Sequence, residues 1–148
     1  MMNILFMHSE EDIRKSGFCR EEFVDFLFTN LERFRDSKNA INEALDYAFS
    51  NEKGKGGFLS AVIDENNIKG ALLMIETGMK KYIPENILVY VAVAPSVRGM
   101  GIGKKLIEES IKHAKGNIAL HVEYDNPAKR LYERLGFTSK YAEMRLER

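Results

Sequence analysis

The chain is predicted to fold as one mixed α/β domain spanning residues 1–148. Three observations carry that expectation. Two segments in the first third place apolar residues at helical spacing. Three short runs rich in Ile, Val and Leu follow between residues 58 and 94, too short for helices and typical of strands. The last third then alternates strand and helix, with glycine or proline at the junctions.

Taken in order, Ile4–Met7 reads as a short first strand. Ser9-Glu-Glu-Asp12 is a capping box that opens a helical segment carrying Phe23, Phe26, Leu27, Leu31 and Phe34, which Gly17 divides. Ile41, Ala44, Leu45, Ala48 and Phe49 share one face of a second helix, and the glycines near residue 55 end it. Phe58–Ile63 and Ile68–Ile75 form a hairpin across Asp64-Glu-Asn-Asn67. Ile87–Ala94 is a third strand. A helix with Leu106, Ile107, Ile111 and Ala114 on one stripe runs to Gly116. Ile118–Tyr124 is a strand. Asn126 and Pro127 suit the N-cap and first position of a last helix that Gly136 ends. Thr138–Leu146 reads as a final strand.

Composition narrows the function. Lys plus Arg equals Asp plus Glu, 22 against 22. A formal net charge of zero gives no overall field that would gather nucleic acid or an anionic membrane. The longest apolar run is far too short for a spanning helix. The start of the chain has no basic leader, which points to a cytoplasmic protein. One cysteine, Cys19, allows no internal disulfide. His8, His113 and His121 lack ligand spacing, so no metal is expected.

The strongest chemical signal is Arg98-Gly99-Met100-Gly101-Ile102-Gly103-Lys104, where a strand enters a glycine-rich turn that opens a helix. Bare N–H groups at the positive end of a helix bind anions, phosphate above all. The spacing is not that of a dinucleotide fingerprint. It also fails as a nucleotide P-loop, because its glycines are one residue too close and Lys105 stands where a hydroxyl is needed.

Arg98-x-x-Gly101-x-Gly103, followed by Asn126 and the Tyr132-x-Arg134-x-Gly136-Phe137 segment, resembles the GCN5-related N-acetyltransferase (GNAT) family. The resemblance is specific over about residues 87–137. It implies a mainly antiparallel mixed sheet with splayed central strands, and acetyl-coenzyme A as acetyl donor. It further implies that residues 98–104 hold the pyrophosphate. The backbone of Val91, Ala92 and Val93 would pair with the pantetheine arm, the Val93 N–H polarising the thioester carbonyl. Asn126 would bond the pantetheine amides, and Tyr132 would return a proton to the departing thiolate. Lys129 stands where the family has a small residue, and is assigned to the same cofactor surface. Phe28 and Tyr82 border the acceptor pocket that the resemblance implies.

One departure concerns the base. Some family members carry a glutamate where this chain has Ile87. Strand alternation over Ile118–Asp125 would put His121, Glu123 and Asp125 on one face. Glu123 is the first candidate base, alone or through water, with His121 second and Glu76 third. Tyr90 and Ala92 would face the same cleft, with Tyr90 placed to orient substrate. The function expected is acetyl transfer to a primary amine. The alternative is a non-catalytic acyl-CoA-binding or sensing module. The acceptor, small molecule or peptide, is not encoded in any motif, and the last strand offers an edge for a homodimer.

Overall fold

A computed structural model describes residues 2–148. Its elements run β1 (Met2–Met7), α1 (Glu10–Lys15), α2 (Arg20–Asn30), α3 (Lys38–Ala48), β2 (Gly57–Asp64), β3 (Asn67–Glu76), β4 (Asn86–Val93), α4 (Ile102–His113), β5 (Ile118–Leu120) and α5 (Ala128–Arg134). One sheet holds all five strands in the order β1-β2-β3-β4-β5. The first four are antiparallel, and β5 pairs with β4 in parallel. This is the mixed, mainly antiparallel sheet that was expected. Gly17, at φ +87°, does separate α1 from α2.

Helices cover both faces of the sheet. Ile13, Phe23, Val24, Leu27, Ile41 and Leu45 bring α1, α2 and α3 onto one face, over Ala61, Ala71 and Leu73. Leu106 and Ile107 of α4 and Tyr132 of α5 cover the other, over Val62, Leu72, Met74 and Leu88. Burying such large side chains completely stabilises the layers by about 1.5–3 kcal/mol each before entropy is counted. A buried hydroxyl pair, Ser60 Oγ to Ser110 Oγ at 2.8 Å, pins α4 to β2. Asn86, 3% exposed, donates its Nδ2 to the carbonyl of Lys115 at 2.7 Å and so fixes where β4 starts against β5.

A bulge interrupts β4. The register passes from Leu73↔Tyr90 to Met74↔Leu88, leaving Val89 without a partner. Leu88 packs on the α4 side, whereas Val89 and Tyr90 both pack on the α2 side. An extra residue of this kind bends a strand and sharpens its twist. Pairing with β5 ends at the same place, since Leu88↔Leu120 is its last rung. Beyond it the two strands part, which is the splay that the resemblance implied.

Two expectations need correction. The strand expected over Ile118–Tyr124 stops at Leu120, because β4 bends away and leaves it no ladder to continue. Residues 138–148 form no strand, and Met144 and Leu146 are 92% and 79% exposed. Alternating apolar residues supplied one face, but the neighbouring edge is only three residues long, too little to hold a strand. The edge on which a homodimer was expected is therefore not formed. Among the described residues no helix is long and apolar enough to cross a membrane.

Candidate active site

The site begins with the free edge of β4. Ala94 donates its N–H to the carbonyl of Lys69, within β3, at 2.8 Å. Successive residues of an antiparallel strand point their backbone groups to opposite neighbours. Ala92 therefore faces β3 as Ala94 does, while Val91 and Val93 turn theirs to the side from which β5 has departed. Ala92 itself, 6% exposed, is paired opposite Ala71 and packs toward α2. The carbonyl of Val93 is occupied by Arg98 Nε at 3.0 Å, which agrees with its outward direction.

Next comes the turn. Gly99 and Gly101 have φ of +80° and +79°, which L side chains adopt only with strain. Gly101 is the N-cap of α4, and no side chain caps that end. The first turn of α4 holds no acidic residue to compete for its positive pole. Arg98 N–H bonds the carbonyl of Pro95 at 3.4 Å, and Lys105 N–H returns to Gly101 at 3.0 Å. Between them, the amides of Gly99, Met100, Gly101, Ile102, Gly103 and Lys104 find no acceptor among the described residues. A Cβ on Gly103 would come within 3.3 Å of Val93 Cγ2, so the bare residue lets the helix start press close to β4. Lys104 and Lys105 are exposed.

The Arg98 side chain is not free to meet an anion. Its Nη1 pairs with Glu32 at 2.9 Å and its Nη2 donates to the carbonyl of Asn30 at 3.1 Å, at the end of α2. This guanidinium braces the end of β4 against α2.

Tyr132 lies in the cluster that also holds Val91, Ile102 and Leu120, so β4, the turn and α5 converge around it. Its ring is 7% exposed and meets Phe137 edge-on with centroids 5.8 Å apart. Burial pushes its phenol up to about 12. Among the described residues the hydroxyl has no hydrogen-bond partner, and no fully buried side-chain oxygen lacks one. It follows that the hydroxyl reaches the surface of an otherwise buried ring. Asn126 accepts the Ala128 N–H on its Oδ1 at 3.0 Å, one residue ahead of the N-cap of α5, which is Pro127 and not Asn126 as expected. Lys129 pairs with Glu133 at 3.1 Å along α5.

The base candidates scatter. His121, Glu123 and Asp125 are exposed and lie past the end of β5, so strand alternation does not put them on a common face. Asp125 pairs with Arg33 at 3.1 Å. Glu76 ends β3. Tyr90 and Ala92 turn into the core under α2 instead of opening on those residues, and the Tyr90 hydroxyl reaches Asp36 Oδ2 at 2.6 Å. No sequence signal named Asp36. Phe28 packs at the edge of the α2 core, and Tyr82 is 74% exposed beside Tyr141. Among the described residues no three His, Cys, Asp or Glu side chains gather as a metal site.

Comparison with known proteins agrees with this layout. The family model described as "Acetyltransferase (GNAT) family" matches residues 21–137. A 5-NmdU N-acetyltransferase of Pseudomonas phage PaMx11 is 32% identical over 113 residues, covering 73% of this chain and 77% of that protein. Solved structures with the same fold include the aminoglycoside N-acetyltransferase AAC(6')-Iy in complex with CoA. It has a TM-score of 0.70 at 14% identity, over 100% of this chain and 95% of that one. A transcriptional regulator from Bacillus halodurans C-125 gives 0.69 at 22% identity, over 99% of both chains. The splayed β4 edge, the uncapped glycine turn and these matches lead to one conclusion: the chain belongs to the acetyltransferase (GNAT) family.

Proposed function

We propose that residues 1–148 form a single-domain N-acetyltransferase that carries the acetyl group of acetyl-CoA to a primary amine by direct attack. The observation that carries this reading is the run of six unpartnered amides from Gly99 to Lys104 at the uncapped start of α4. A diphosphate satisfies such donors at one stroke. The coenzyme supplies an activated thioester. The outward backbone groups of Val91 and the N–H of Val93 can receive the pantetheine arm as an added strand. Asn126, its Nδ2 unspent, can bond an amide of the arm, and Lys129 borders the same helix start.

The Val93 N–H would stabilise the negative charge that grows on the thioester carbonyl oxygen. Tyr132, a phenol that is neutral at physiological pH and is held further from ionising by burial, donates its proton to the leaving sulfur. Glu123, exposed beyond β5, takes the proton lost by the attacking nitrogen, directly or through water. Positioning supplies the larger part of the rate in such a site. The complex of AAC(6')-Iy with CoA and the activity named for the phage relative support the donor and the type of transfer. They leave the acceptor open between small molecules and peptide amines.

Thiol release from acetyl-CoA in the presence of a varied amine panel, with 5-NmdU among the acceptors, tests the reading. Amine-dependent release that Tyr132→Phe abolishes is the expected result. Tight acetyl-CoA binding with no release to any amine would overturn it, in favour of a binding or sensing module, as the absence of a glutamate at Ile87 would then suggest.

A further inference from the structure

The segment between α2 and α3 is fastened to both strands where they part. Arg98, just after β4, holds Asn30 and Glu32. Arg33 reaches Asp125, just past β5. Tyr90, within β4, donates to Asp36. These attachments stretch residues 30–36 over the mouth of the splay.

Among the described residues, two charges on this strap have no ion pair, Arg35 and Asp36. Glu32 has Arg98 and Arg33 has Asp125. The Arg35 guanidinium lies over the Phe28 ring at 4.3 Å, and Lys38 pairs with Asp25 at 2.8 Å. Asp36 is exposed; its partner is a phenol, and among the described residues it has no cation and its Oδ1 makes no bond. Burial, then the hydrogen bond to Asp36 and the charge of that carboxylate, hold the Tyr90 phenol above its ordinary pKa. Tyr90 thus orients Asp36 without cancelling its charge. The next residue, Val91, presents its backbone to the open edge.

We propose that Asp36 is an ammonium-binding subsite that selects acceptors carrying a cationic nitrogen, with Tyr90 as its positioning residue. The assignment deepens the acetyl-transfer reading and rests on it. A carboxylate with one oxygen fixed and one free offers a directed, charge-assisted acceptor to N–H groups. Acetylation removes the positive charge from an amine, so the product loses this contact and leaves.

Binding to the CoA-loaded protein tests the proposal without requiring turnover. n-Butylamine, 1,4-diaminobutane and tyramine are each titrated beside their fully N-acetylated, neutral counterparts, by calorimetry or ligand-observed NMR. For at least one of them the wild-type protein should favour the cationic form about tenfold, as expected for a charge-assisted contact. Asp36→Asn should reduce that ratio to about unity, Asp36→Glu should restore part of it, and Tyr90→Phe should lower it about threefold. CoA affinity and the circular-dichroism spectrum should stay unchanged in all three variants. If the wild-type protein shows no preference for any cationic form, or Asp36→Asn retains it, the subsite is refuted. Thiol release is scored separately. A preference lost in Asp36→Asn without any turnover would refute the transferase reading and keep the subsite. Turnover with KM untouched by Asp36→Asn would do the reverse.

Discussion

The two sides of the β4 strand use different chemistry. Toward α4 and α5, the surface is built from backbone: the outward groups of Val91 and Val93 and the amides of Gly99–Lys104. Toward α2, it is closed by side chains in pairs: Arg98 with Glu32, Tyr90 with Asp36, and Arg33 with Asp125 across the mouth. Backbone donors are the same whatever the sequence, and glycines that expose them are needed in fixed places. Side-chain pairs can be exchanged for others of similar reach. The first surface suits a ligand that never changes, and the second suits one that does.

The sharpest way to break this contrast is to fill the backbone surface. Gly101→Val forces a β-branched residue to φ near +79° at the start of α4. A cost of about 1–3 kcal/mol in local backbone strain, together with displaced amides, should weaken acetyl-CoA binding by about a hundredfold. Calorimetry measures it, and circular dichroism should show the fold retained. An unchanged affinity would mean that the turn is not the anion cradle.

Removing one hydroxyl separates chemistry from binding. Tyr132→Phe keeps the buried ring and its packing on Phe137. Turnover should fall by about 10²–10⁴-fold, the range for loss of a general acid, while the Kd for acetyl-CoA hardly moves. Steady-state kinetics beside equilibrium titration distinguishes the two quantities.

Arg98 sharpens the contrast, because its type and position suit a phosphate ligand while its contacts are those of a brace. Arg98→Ala should cost about 1 kcal/mol of stability, given a partly exposed ion pair and two bonds to carbonyls, read from urea midpoints. The salt dependence of coenzyme binding should not change. A flatter salt dependence would show the guanidinium on the phosphates after all.

The smallest effect lies farthest from the site. His113, at the end of α4, stacks on Phe6 at 4.0 Å, and its Nε2 is 3.0 Å from that of His8. Burial, then the neighbouring His8, lowers its pKa. The folded protein therefore binds fewer protons here than the unfolded chain. Its stabilising contribution is complete above about pH 6.5 and is lost as the pH falls below that value. Melting temperatures recorded from pH 8 to pH 5 should fall at the acid end, and less steeply in His113→Asn.

The same contrast explains what could be read from the chain. Elements with strong periodicity and glycine or proline punctuation stand where expected, among them the hairpin at Asp64–Asn67 and the helix between Gly101 and Gly116. The glycine turn with its bare amides was legible because glycine at Gly101 and Gly103 has few other uses. The Val89 bulge was not, since burial along β4 still alternates residue by residue while the faces do not. That hidden phase change is why β5 ends early and why His121, Glu123 and Asp125 do not share a strand face. Asp36 was invisible for another reason. Its partner Tyr90 lies 54 residues away, and nothing local to either residue announces the pair.

The bulge has a further consequence. A single surplus residue, Val89, sets the phase of everything downstream on β4. Excising it would let the ladder zip onward past Leu120, and the crevice would heal into continuous sheet. The parting of the two strands thus coincides with one amino acid too many for β4 to lie flat.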